Sequence, residues 1–194
     1  MNITGYEIEI KLGNLEKAIA SRRIIVPSNI TFQQFHEILS ISMGWEGDKL
    51  YEFVLPKFEK SFFSFDNDYE LSETKFYDAD QEYIFNYLEN SDKFEYIYDF
   101  GFWLHEVKVT KLLMKNKVIP KVIEFEGDCP PEDCGGISGY KDFLEAIDNP
   151  DHENHENAAF WFDEIYEEYD MEYVNYLLTE WYKKVRKNKK NSQA

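Results

Sequence analysis

Apolar and charged residues alternate one for one through Tyr6-Glu7-Ile8-Glu9-Ile10-Lys11-Leu12, the period-two pattern of a strand buried on one face. Arg22-Arg23-Ile24-Ile25-Val26 is rich in β-branched residues and ends at Pro27, which predicts a second strand and, with the first, a hairpin. The period then changes. Phe32, Phe35, Ile38, Leu39 and Met43 fall on one helical stripe that stops at Gly44, and Thr31 with Gln34 has the spacing of a capping box. A short strand is predicted from Tyr51 to Leu55, closed by Pro56. Residues 57–78 mix Phe with Asp, Glu, Ser and Asn without a clean period and read as an irregular insertion, followed by a short helix over 79–88.

Two further strands, over 94–100 and 104–110, bracket Gly101 and predict an antiparallel pair with a short connection. The Pro-Pro, Gly-Gly and Ser-Gly pairs between Cys129 and Gly139 make a structured loop, and helical patterns follow at 140–147, 155–168 and 171–187. Strands first and helices last predict an α+β fold: a mostly antiparallel sheet with a β-β-α-β opening in the order of a β-grasp, and a C-terminal helical layer. No repeat period is visible, and 194 residues suit one domain, placed at 1–182 with 57–78 as its insertion.

Composition sharpens this picture. Aromatic residues make up 18% of the chain and hydrophobic residues 43%, so a net charge of −17 is carried on a folded body and not on a disordered polyanion. The last twelve residues, 183–194, hold six Lys or Arg and no acid, leaving a net charge of −23 on the remainder. They are expected to form a disordered basic tail. A body of that sign repels phosphate, so direct nucleic-acid binding by it is not expected. No stretch approaches about 18 consecutive apolar residues and no secretory pattern opens the chain, so a soluble cytoplasmic protein with no membrane role is expected.

Two constellations could carry chemistry. Asp99 followed by Glu106-Val107-Lys108 has the layout of an acid and a Glu-x-Lys on a neighbouring strand, which can hold a divalent cation and activate water. His105 shares the apolar face of that strand with Val107 and Val109, the position of a core histidine bonded to a backbone carbonyl. His36, beside Gln33 and Glu37, is expected on the solvated side of its helix. Cys129, Cys134, His152 and His155 together offer the ligand types zinc prefers. Their Cys-x4-Cys and His-x2-His spacings are not those of a common finger, and the favoured reading makes the cysteines small packed groups in a rigid loop, with no cofactor.

Three stretches together resemble one family, the plasmid pRiA4b ORF-3-like proteins. They are Arg22-Arg23-Ile24-Ile25-Val26-Pro27 through Met43-Gly44-Trp45; Tyr98-Asp99-Phe100-Gly101 with His105-Glu106; and Cys129-Pro130-Pro131-Glu132-Asp133-Cys134-Gly135-Gly136 through Gly139-Tyr140, Asn149-Pro150-Asp151-His152 and His155. The family usually has Trp before the double Arg, where this chain has Ala20-Ser21, and commonly His where Tyr51 stands. The resemblance implies association with mobile elements and carries no established activity. A resolvase role, sometimes attached to the family, needs several arginines around a scissile phosphate. This chain has three, of which Arg22 and Arg23 point to opposite faces of a strand and Arg186 lies near the C-terminus. The function expected is that of a non-enzymatic interaction or accessory protein with a protein partner. The alternative is a metal-dependent hydrolase or nuclease using Asp99, His105 and Glu106.

Overall fold

Alternation in the first two strands decides what becomes core. The computed structural model describes residues 3–13, 20–58, 60–63, 76–114, 117–164 and 168–191. In β1 (Gly5–Leu12), Ile8, Ile10 and Leu12 are buried on one face of the sheet, and in β2 (Ser21–Pro27) Arg22, Ile24 and Val26 join them. The two strands pair antiparallel with Ile8 opposite Ile24. The opposite face is charged, with Arg23 paired to both Glu7 and Glu124. Arg22 and Arg23 therefore part to opposite faces, as the strand period requires.

Helix α1 (Phe32–Met43) lies across the apolar face. It begins at the predicted capping box, where the Thr31 hydroxyl accepts from the Gln34 N–H, and ends at Gly44 in the left-handed region at φ 83°. Phe32 stacks on Phe62 at 4.1 Å between ring centroids, and Phe35 on Phe53 at 5.2 Å. These rings fill the space between α1 and the strands β3 (Tyr51–Leu55), β4 (Lys60–Phe63) and β6 (Lys93–Tyr98). With β5 (Phe76–Asp78), β7 (Trp103–Leu113) and β8 (Lys121–Glu126), the strands form one sheet in the order β5-β4-β3-β6-β7-β1-β2-β8. All pairings are antiparallel except β4 with β5. The α+β class is as expected; β3 meets the opening hairpin only through β6 and β7, which intervene.

Three expectations need correction. The insertion over 57–78 is not irregular throughout: β4 and β5 are strands within it, because Phe62 has a slot against Phe32, while residues 59 and 64–75 lie outside the described residues. The helix predicted over 79–88 shrinks to α2 (Phe85–Leu88). The segment before it serves the start of α1 instead: the carbonyls of Glu82 and Ala79 accept from the N–H groups of Phe32 and Gln33, which have no partner inside the helix. The basic tail, expected to be disordered over 183–194, continues α5 (Met171–Asn191) as far as residue 191, supported by Lys183 paired with Glu180 and by Arg186 bonded to Tyr182 four residues back, while 192–194 lie outside the described residues.

Helix α5 packs against α1 and the edge strand β8. The Asn175 amide accepts from the Val122 N–H at 2.8 Å and donates to the Val122 carbonyl at 3.0 Å, taking the place that a ninth strand would occupy. That bond blocks an otherwise open edge. Helices α3 (Gly136–Asp148) and α4 (His155–Glu164) pack against each other after the cysteine loop.

Candidate functional site

The residues of the hydrolase alternative do not converge. Asp99 and Phe100 form the turn between β6 and β7 with φ of 53° and 52°, and the Asp99 carboxyl is raised by burial, opposed by Lys49. His105 is fully buried beneath the sheet, where Nδ1 donates to the Tyr96 carbonyl at 3.2 Å. Its Nε2 is left without a hydrogen-bond partner, and burial lowers the imidazole pKa to about 4. Glu106, next along the strand, faces the opposite side and pairs with Lys93.

The zinc alternative fares similarly. His155 Nδ1 donates to the Ala146 carbonyl at 2.7 Å, and His152 Nδ1 accepts from the Asn154 N–H at 3.2 Å, so both rings are engaged in the turn between α3 and α4. Burial pushes the Cys129 thiol up to about 12, against the pull of Arg22, and Cys134 up to about 11. Among the described residues, no group of three or more His, Cys, Asp or Glu side chains is arranged to hold a metal ion.

What the structure assembles is a docked loop. The Trp45 indole N–H donates to the Pro130 carbonyl at 2.9 Å and the Trp103 indole N–H to the Glu132 carbonyl at 3.2 Å. The Glu132 carboxylate accepts from the Glu46 N–H at 2.7 Å and from the Tyr98 hydroxyl. Gly136 closes the loop at φ 73°, where an added Cβ would meet the Phe102 side chain at 2.7 Å. Arg22, also fully buried, fans its donors into the same region: Nε to the Ser42 carbonyl, Nη1 to the carbonyls of Ser21, Glu126 and Gly127, and Nη2 to the Cys129 sulfur at 3.1 Å. Its guanidinium lies 3.7 Å from the Tyr169 ring centroid.

His36, expected in solvent, is 2% exposed. It stacks on Tyr51 at 3.7 Å, donates through Nε2 to the Gly47 carbonyl at 3.0 Å and accepts at Nδ1 from the Tyr96 hydroxyl at 2.8 Å. The helix is buried over a wider arc than its aliphatic stripe, because the chain after Gly44 folds back along it.

Between the docked loop, the end of α1 and the start of α5 lies a cleft of about 430 Å³. Met43, Trp45, Cys129, Tyr169, Tyr173 and Leu177 contribute its apolar and aromatic lining. Glu46, Glu132, Glu168 and Asp170 supply four carboxylates, and among the described residues no lysine or arginine lines it. A larger groove of about 780 Å³ runs between α1 and α5. Of its polar side chains, Glu37 accepts from the Trp181 indole and so joins α1 to α5, Gln33 accepts from the Tyr51 hydroxyl of β3, and Gln34 closes the capping box. Neither Glu132 nor Arg22 stands out in the sequence as a site residue; the only signal is their place inside the Cys-Pro-Pro-Glu-Asp-Cys and double-arginine stretches.

The architecture has relatives. An uncharacterised protein, y4hQ, of Sinorhizobium fredii is 32% identical over 162 residues, covering 79% of this chain and 78% of its own length. The crystal structure of a protein of unknown function, MM3350, from Methanosarcina mazei Go1 superposes with a TM-score of 0.71 at 26% identity, covering 87% of this chain and 96% of that one. The family model described as plasmid pRiA4b ORF-3-like protein matches residues 4–177, which take in the opening hairpin, the docked cysteine loop and the start of α5, and the chain belongs to that family.

Proposed function

We propose that this chain is a non-enzymatic accessory protein that works by holding a protein partner in the cleft between the cysteine loop and α5. The observation that carries this reading is the cleft itself. Its floor is aromatic and sulfur-containing, its walls are fixed by indole-to-carbonyl bonds and by Arg22, and Tyr173 stands 57% exposed at its side. Rigid aromatic anchors beside a preformed concavity are the features that concentrate binding energy at protein interfaces. The residues of the hydrolase alternative lie outside this cleft: His105 is sealed in the core and Glu106 pairs with Lys93 on the other face of the sheet.

A protein partner fits the electrostatics better than nucleic acid, since the carboxylates around the cleft repel phosphate. Among the described residues no helix is long and apolar enough to cross a membrane. The plasmid origin of the family's name supports a role on mobile elements. The test is a peptide-display selection on the immobilised full chain, repeated with Tyr173→Ala. Enriched peptides that lose binding to the variant are the expected result. Peptides that bind both proteins equally, or no enrichment, would reject the cleft as the binding site.

A further inference from the structure

We infer that the cleft recognises a positively charged side chain, arginine or lysine, flanked by apolar residues in a segment of a separate protein. This deepens the preceding reading and rests on it. The first ground is charge. Four carboxylates and, among the described residues, no lysine or arginine line the cleft; Glu46, Glu168 and Asp170 are exposed at its edge, while Arg22 lies fully buried behind Cys129 and Tyr169. With four carboxylates against that one buried guanidinium, an incoming cation meets a concave surface of net negative charge, where low-dielectric walls focus the field. The second ground is the aromatic lining. The protein already places its own Arg22 guanidinium 3.7 Å from the Tyr169 ring centroid, so a ring of this same cleft serves as a cation platform within the fold. Trp45 and Tyr173 add two more aromatic rings.

The chain's own basic end is a poor occupant. Helix α5 is continuous from Met171 to Asn191 and carries its basic residues along the axis away from Tyr173, with Asn191 about 27 Å from it, so this helical segment does not reach its own cleft. In a second copy the same segment would bring six cations but only Val185 as an apolar contact, whereas the lining is dominated by Met43, Trp45, Tyr173 and Leu177. A basic residue with apolar neighbours, supplied by another protein, matches both the rim and the floor.

The experiment uses the full chain and labelled decapeptides with a central Leu-Xaa-Phe in Gly/Ser flanks, where Xaa is Arg, Gln or Glu, and a fourth peptide copying residues 183–194. The Arg peptide should bind at least tenfold more tightly than the Gln peptide, and the Glu peptide least. That preference should shrink as salt is raised. Glu46→Gln with Glu168→Gln should remove most of the preference for Arg over Gln; both positions are exposed, so folding is not at risk. Equal binding of the Arg and Gln peptides would overturn this inference and leave the binding role intact. Tighter binding of the 183–194 peptide would overturn it in favour of self-association. Failure of every peptide to bind at millimolar concentration would count against both readings.

Discussion

The Tyr96 hydroxyl donates to Nδ1 of His36 across 2.8 Å, and that one bond fixes the imidazole as a neutral ring whose only proton, on Nε2, goes to the Gly47 carbonyl. The same tyrosine's carbonyl accepts from His105, so one residue of β6 holds both buried histidines. Burial depresses both pKa values to about 4. Around His36 stand Tyr51, Tyr96, Tyr98 and Ser40, and around His105 stand Trp45 and Tyr96, so among the described residues no carboxylate contacts either ring to favour its charged form.

Acid sensitivity follows from that burial. Above the unfolded pKa of about 6.5 both folded and unfolded states are neutral and these histidines add no pH dependence. Below it the unfolded chain takes up two protons that the folded protein refuses, so stability falls as pH drops from about 6.5 towards 4, by up to about 2.7 kcal/mol per pH unit. Denaturant melts at pH 7 and pH 5 should show this loss before most carboxylates titrate. Tyr96→Phe should cost about 1–3 kcal/mol at pH 7 by leaving Nδ1 of His36 unbonded. A stability profile flat between pH 7 and pH 5 would show that the rings are not held neutral.

Neighbouring arginines should differ sharply. Arg22 is buried without a carboxylate and satisfies its charge on four carbonyls, a sulfur and a ring, so Arg22→Lys loses a planar fan that an ammonium cannot reproduce. A loss of about 3–5 kcal/mol is expected in denaturant melts. Arg23, whose side chain is 41% exposed, should cost far less on change to Ala despite its two ion pairs, because solvent screens them. Equal losses would mean that the docked loop does not depend on Arg22.

The cysteines should behave as packed groups. Burial pushes both thiols up, Cys129 packs against Met43 and the Arg22 guanidinium, and among the described residues no group of three or more His, Cys, Asp or Glu is placed to hold a metal ion. Purified protein should hold no stoichiometric zinc, and a chelator should leave its Tm unchanged. One equivalent of zinc by elemental analysis, with a chelator-induced fall in Tm abolished by Cys134→Ser, would contradict this.

Local signals in the sequence carried the frame of the molecule. The alternation of β1 and the cap and stripe of α1 are set by neighbours within a turn or two, and the structure follows them at Thr31 and Gly44. What the sequence hid depends on distant partners. Phe62 becomes part of a strand because Phe32 waits thirty residues away, and His36 is buried because Tyr51, Tyr96 and the Gly47 carbonyl close over it. In the site, prolines and glycines betrayed a rigid loop, but the bonds that dock it span 85 residues from Trp45 to Pro130 and 29 from Trp103 to Glu132. The cleft exists only once those bonds form, and no local pattern records it.

Methionine methyl NMR tests the claimed binding surface most directly. The chain has four methionines: Met43 lines the cleft, while Met114, just past the end of β7, is 58% exposed and is not among the residues lining it. On saturation with the Arg-centred peptide, the Met43 methyl resonance should shift and the Met114 resonance should stay in place. A shift at Met114 with Met43 unmoved would place the binding surface elsewhere and contradict the account.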